Sequence, residues 1–371
     1  MDRAALAARP RVRVLLLTVL AAAAFAPGRA QEEPYYFYHG YDYGSEAVVN
    51  PVTLVLNSGF GILQYSNRSR DLFAVRYATG WKNVTYNLSH PFRAINDYGW
   101  SEFLGNEFYP KDLSRKNAQY WPNYQNHLIG GGMNYVEMAE WYRYHGVAHA
   151  KLLAAATMAI DHLLNEVVEN NAFVGSNVDP LADLYFFDPM GIVLFSINGV
   201  PRFFAETLNL ADWPTQPTFN PTSHTIENHG VNYSIKYRLP FAERVSIFYY
   251  WGLTGLLGVS YKTGPAENLS VGAGLRAKEL VETGDQSNGR KLTADLTWNV
   301  GVFFDRNNSL LASALFSGIS DYTVHVNVYP GVLRVGPVSP GLFCAVGRDG
   351  RLISGVSIAA VPVGLAARLY R

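Results

Sequence analysis

Residues 231–371 carry a run of segments with a strict two-residue period, and that period restricts this half of the chain to sheet. Val231, Tyr233, Ile235 and Tyr237 alternate with Asn232, Ser234, Lys236 and Arg238. Leu292, Ala294, Leu296, Trp298, Val300 and Val302 alternate with Thr293, Asp295, Thr297, Asn299 and Gly301. Tyr322, Val324, Val326 and Val328 alternate with Thr323, His325 and Asn327. Successive side chains of a strand point to opposite faces, so each segment has one apolar, aromatic-rich face and one polar face. A soluble sandwich alternates in the same way. Length favours the membrane, because the runs at 231–239, 269–280 and 291–304 reach the roughly 9–11 residues that a tilted strand needs to cross a bilayer. The predicted fold is mainly β: a transmembrane antiparallel barrel. Val231, Tyr233, Ile235 and Tyr237 are expected to face lipid, and Lys236, Arg238, Arg276 and Asp295 a wet lumen.

The first thirty residues read as a secretory signal peptide. Arg3, Arg9, Arg11 and Arg13 form a basic n-region, Val14 to Ala26 an apolar h-region, and Gly28 and Ala30 the small residues before a cleavage site, which predicts cleavage after Ala30. Removal of residues 1–30 takes five Arg and one Asp, leaving a net charge of −4. That balance gives no electrostatic reason to expect nucleic acid as a partner. The charged fraction is 16%, well below the roughly 25% of ordinary soluble domains. Tyr, at 24 copies, leads an aromatic fraction of 14%, as aromatic girdles of a barrel require. Cys344 is the only cysteine, so no internal disulfide forms, which suits a Gram-negative envelope protein better than a eukaryotic secreted one. The expected location is the bacterial outer membrane, with the bilayer and the outer-membrane assembly machinery as partners. The sequence leaves the oligomeric state open.

Between the leader and the strands the texture changes. Residues 31–129 mix short apolar runs with Gly, Asn, Tyr and Pro and are predicted to supply N-terminal strands and loops, with Leu72–Tyr77 and Val84–Leu88 as strands. Residues 130–187 have helical spacing. Tyr135, Met138, Ala139 and Tyr142 form one apolar stripe, His145-Gly146 breaks it, and Leu152, Ala155, Ala156, Ala159, Leu163 and Val167 form the next. The spacing predicts a helical hairpin over 133–169, inserted in the lumen or at its mouth. A further short turn is expected from Asp179-Pro180, with strands from about Gly191 onward and barrel throughout 188–371.

Trp121-Pro122-Asn123-Tyr124-Gln125-Asn126-His127, then Asn165-Glu166-Val167-Val168-Glu169-Asn170, then Asp179-Pro180-Leu181-Ala182-Asp183 ahead of the strands, resembles uncharacterised bacterial outer-membrane barrels with a helical insert. The resemblance covers most of the mature chain. It implies location and architecture, and no chemistry.

The polar residues that bear on chemistry gather around the hairpin. His162, Glu166 and Glu169 fall at i, i+4 and i+7 and share a helix face. Glu137 and Glu140 share another, His127 precedes the hairpin, and Asp179 and Asp183 follow it. Carboxylates and imidazoles converging from facing helices can bind a metal or move protons. The chain has neither Glu-x-x-His on a helix nor His-Glu-x-x-His, so these residues are expected to form a structural network, with no metal and no cofactor. A Ser–His pair drawn from Ser223, His224, His229, His325 and Ser354 is the other chemical option, but no Gly-x-Ser-x-Gly elbow supports it. The function expected is a barrel plugged by the helical insert, in a structural or solute-binding and transport role. The alternative is a barrel-embedded enzyme acting on lipid through the His/Glu cluster or a Ser–His pair.

Overall fold

The computed structural model describes residues 33–109, 122–172, 175–283 and 291–369. The leader, its cleavage site, Trp121, the turn at 285–289 and the C-terminal Tyr370-Arg371 lie outside these. The first half is helical. Helix α1 (Pro51–Gly59) is capped by Asn50, whose side chain accepts from the Val52 and Thr53 N–H groups, with Pro51 in the first turn. Then come α2 (Tyr77–Ser89), α3 (Pro91–Tyr98), α4 (Gly131–Tyr144), α5 (Ala150–Glu169) and α6 (Asp188–Phe195). Among the described residues four stretches are π-helical: Leu104–Phe108, Asn123–Gly130, Asp183–Phe187 and Phe203–Thr207. No single helix among the described residues is long and apolar enough to cross a membrane.

The hairpin expected over 133–169 is present as α4 and α5, joined through Gly146 at φ +69°. No strand forms at 72–77 or 84–88. Residues 77–89 are helix instead, because Gly80, Val84 and Asn87 fall on one helical face and bury it beside α5, and that packing outweighs the strand preference of Val84 and Thr85. Helix also continues past Gly191 as far as Thr207. Gly191 and Gly132 let α6 and α4 approach closely: a Cβ on Gly191 would lie 2.8 Å from the Leu128 carbonyl, and one on Gly132 would meet the Phe195 ring.

The strands are β1 (Ala211–Asp212), β2 (Thr218–Asn220), β3 (Thr225–Glu227), β4 (Tyr233–Arg238), β5 (Val245–Trp251), β6 (Thr254–Lys262), β7 (Glu267–Thr283), β8 (Lys291–Arg306), β9 (Ser309–Ser317), β10 (Val324–Val328), β11 (Pro340–Val346), β12 (Leu352–Ile358) and β13 (Val361–Leu369). They form one sheet in the order β1-β4-β5-β6-β7-β8-β9-β10-β11-β12-β13-β2-β3. From β4 to β13 it is an antiparallel meander, while β13 and β2 pair in parallel. β4 and β13 do not pair, so the sheet does not close into a barrel.

One face of the meander is buried. Gly258, Gly272 and Gly301 follow Phe248 across adjacent strands. The volume they leave is filled by Trp213, Phe248, Tyr250, Phe303 and Tyr329, none more than 3% exposed. The interior is therefore packed by the sheet's own side chains and by β1, not by the hairpin. Against expectation, α4 and α6 lie outside it, on the opposite face of β4 and β5, where Met133 and Phe195 pack on Tyr233 and Trp251. This corrects the expected environment of Tyr233, which keeps the outward face but is buried under the helices with its hydroxyl accepting from Asn134 Nδ2 at 2.8 Å. Tyr237, beyond their reach, is exposed.

Of the residues expected to point inward, Lys236 is buried and pairs with Asp305 at 2.5 Å. Arg276 lines an interior cavity and donates to Gln64. Arg238 sits at the strand end in an open cleft with Lys236. Asp295 is not enclosed: a register shift between Ala277 and Glu279 leaves it half exposed, 3.9 Å from Lys278.

His229, between β3 and β4, is buried, and its Nε2 donates to the Phe60 carbonyl at 3.0 Å. Burial, with the Arg70 charge nearby, pulls its pKa from 6.5 down to about 3. Between those values the unfolded chain binds a proton that the native chain does not, so stability is full above pH 6.5 and falls as pH drops. The expected loss from this residue is about 2 kcal/mol at pH 5. Unfolding of wild type and His229→Gln at pH 7.5 and pH 5 checks it: the wild type should lose more on acidification, and equal losses would contradict the assignment.

Candidate functional site

The helical half brings together a group of titratable side chains. α5 presents His162, Glu166 and Glu169 on its buried face. Twenty unbroken residues beginning Ala-Lys-Leu-Leu-Ala-Ala-Ala keep that face continuous. The π-helical stretch Asn123–Gly130 runs directly into α4 and sets His127 beside His162, with ring centroids 5.5 Å apart. Asp188, the first residue of α6, places Oδ1 2.8 Å from His162 Nδ1 and 2.9 Å from His127 Nδ1. The other His127 nitrogen, Nε2, lies 3.4 Å from Asp183 Oδ2. Glu166, Asp179 and Asp183 form an adjoining carboxylate group. Glu107, on the Leu104–Phe108 stretch, accepts from Asn123 Nδ2 at 2.9 Å. Asn170 Nδ2 donates to Glu166 Oε2 at 3.1 Å.

Burial governs the electrostatics. It pushes Glu107 up to about 7. It also drives Glu166 and Asp183 well above the usual carboxylate range, with Asp179 adding like charge to both. Burial alone would lower His127, but Asp188 beside it more than offsets that and raises it to about 9. Asp188 moves the other way because two imidazoles face it, and their charge outweighs its burial. The group therefore sets cationic His127 against anionic Asp188, next to carboxyls whose pKa values burial raises.

A cavity of about 170 Å³ reaches the group, with His127, His162, Glu169, Asp179 and Asp183 in its wall. None of its lining residues is Lys or Arg among the described residues. Asp183 Oδ1 and Asp188 Oδ2 are buried without a hydrogen-bond partner. The side chains placed to hold a metal are His127, His162 and Asp188 on one side and Glu166, Asp179 and Asp183 on the other.

Six of the eight residues expected in one cluster are assembled here: His127, His162, Glu166, Glu169, Asp179 and Asp183. Glu137 and Glu140 are elsewhere, because their face of α4 turns toward the N-terminal segment and the sheet. Glu140 accepts the backbone N–H groups of Tyr36, Phe37 and Tyr38 at 2.7–2.8 Å, a structural clamp. Glu137 is buried facing Asp212, and burial with that like charge raises its pKa. Sequence reasoning missed Asp188 and Glu107. Asp183 and Asp188 are five residues apart, off the 3.6-residue period, and come to one face only because 183–187 is π-helical. The Ser–His option is not assembled. Ser223 Oγ bonds Thr225, His325 Nε2 meets Asn228 Oδ1 at 2.7 Å, and Ser354 lies in the row of Cys344 and Ala367 on the opposite sheet face.

No protein-family model matches the chain, and no similar curated protein or solved structure was found.

Proposed function

We propose that the protein is an integral protein of the bacterial outer membrane, with β4–β13 as its embedded part and a structural role that its packed interior supports over conduction. The observation that carries this reading is one row of side chains on the unburied sheet face. Following the register from β4 to β13, the row reads Tyr237, Ile247, Val259, Val271, Val302, Ala314, Val326, Cys344, Ser354 and Ala367. Nine of these ten are apolar or aromatic, and the rows on either side of it add Leu257, 64% exposed, and Leu365, 62% exposed. Soluble proteins rarely expose a contiguous apolar patch of more than a few hundred Å². A bilayer covers such a face without cost.

A bilayer also demands partners for backbone groups at any open edge. The segment 211–220 supports the reading there. Its first half bonds to the β4 side, Trp213 N to Asn232 O at 2.6 Å and Thr215 N to Gly230 O at 3.0 Å. Its second half meets β13, where Gly364 N donates to Pro217 O at 2.8 Å. The seam between β4 and β13 is thus bridged by one irregular segment. The interior cavity beside Arg276 and His325 is about 30 Å³, room for a water rather than a path.

A second reading, a membrane-embedded enzyme acting on lipid, is favoured by the His127–His162–Asp188 group and its cavity. Fractionation tests the first reading. The chain, shortened by cleavage after Ala30, should stay with outer membranes through a carbonate wash; recovery as a soluble periplasmic protein would overturn it.

A further inference from the structure

We propose that His127, His162 and Asp188 form the ligand set of a first-row divalent cation such as Zn²⁺, Mn²⁺ or Fe²⁺, with Glu166, Asp179 and Asp183 as the oxygen-rich wall beside it. Three observations combine. The first is spacing. Within each of the two groups the ligand atoms all lie within 4.8 Å of one another. Bonds of about 2.0–2.2 Å to one ion separate its ligands by about 3–4.4 Å. Small rotations of these side chains therefore reach coordination distance.

The second is the pair of orphaned oxygens. Asp183 is 4% and Asp188 8% exposed, yet Oδ1 of the first and Oδ2 of the second have no hydrogen-bond partner. A buried carboxylate oxygen without a partner loses the full desolvation free energy of that atom. A cation between Asp188 and the two imidazoles, touching the carboxylate wall, supplies the missing interaction. The third is charge. Among the described residues the cavity lining holds no Lys or Arg, and there the two imidazoles are the basic groups facing the carboxylates.

The donor set narrows the class of ion. Two imidazole nitrogens with one carboxylate suit borderline transition cations, whereas Ca²⁺ and Mg²⁺ take oxygen ligands almost alone. The wall facing the cavity leaves room for water or a substrate oxygen as a further ligand, the arrangement of open rather than closed metal sites.

The test uses the full chain in detergent, stripped with a chelator and transferred to metal-free buffer, and titrated calorimetrically with Zn²⁺. One equivalent should bind tightly. Asp188→Asn and His162→Gln should weaken binding more than about 100-fold, beyond the roughly 10–100-fold of losing an outer hydrogen bond. His145→Ala, in the exposed turn between α4 and α5, should bind as wild type. X-ray absorption at the zinc edge of the loaded wild type should give two imidazole ligands, and it serves even if both ligand variants fail to fold. The proposal is overturned if folded wild type binds no Zn²⁺, if the two ligand variants keep wild-type affinity, or if the edge spectrum contains no imidazole.

Discussion

Glu227→Ala should destabilise the protein by about 3–5 kcal/mol, among the largest effects expected of any single substitution outside the helical half. Glu227 is fully buried on β3 and is the hub of the interior at that end of the sheet. Arg70 Nη1 donates to it at 3.3 Å, Arg368 Nη2 at 2.5 Å, the Tyr322 hydroxyl at 2.6 Å and Thr225 Oγ1 at 2.9 Å. These partners come from the loop after α1, from β13, from the segment before β10 and from β3 itself. Loss of the carboxylate leaves Arg70, 8% exposed and stacked 4.5 Å over the Tyr322 ring, with only the partly exposed Asp321 carboxylate at 3.9 Å to offset its buried charge. The cost is therefore that of stranding a partner and exceeds the net worth of the pair. Replacing Glu227 and Arg70 together by Met should recover part of the loss. Urea unfolding of the three variants in detergent measures this. A change below about 1 kcal/mol for Glu227→Ala would mean that the network is solvated and contributes as a surface pair does.

Val259→Arg is the second large effect, and its size depends on what surrounds the sheet. Val259 is 57% exposed in the middle of β6, between Ile247 and Val271 on the neighbouring strands. If lipid covers this face, Arg there should cost about 2–4 kcal/mol near the bilayer midplane. If water covers it, the same substitution falls among surface changes that stay within about 0.5 kcal/mol. Unfolding of wild type and variant in lipid vesicles should show the larger value. Little change there would argue against the embedded sheet.

Much of the strand half was legible from the two-residue period, because a one-residue slip would reverse every side chain and so the pattern encodes the register. Lys236 inward and Tyr237 outward follow from that rule alone. What period could not supply was the covering of one outward patch by helices, which is why Tyr233 keeps its parity yet is buried. The hairpin was legible because Ala154, Ala155 and Ala156 favour helix strongly and Gly146 supplies its turn. The helices before it were not. Val84 reads equally well as a strand residue, and only contact with α5 decides. The candidate centre was half legible. His162, Glu166 and Glu169 share a face of an ordinary helix, whereas the π-helical turns that bring in Asp183 with Asp188, and Glu107, follow no period that a 3.6-residue search detects.

Whether the sheet is embedded is decided by what surrounds its unburied face. Nitroxide labels at Val259 and Val271, with the protein in lipid vesicles, report it through their collision rates with oxygen, which concentrates in the bilayer, and with a water-soluble nickel chelate. A label at Lys82, exposed on α2, supplies the aqueous reference. Labels at 259 and 271 should favour oxygen strongly over the chelate, while the label at 82 does the reverse. Equal chelate access at all three positions would contradict it.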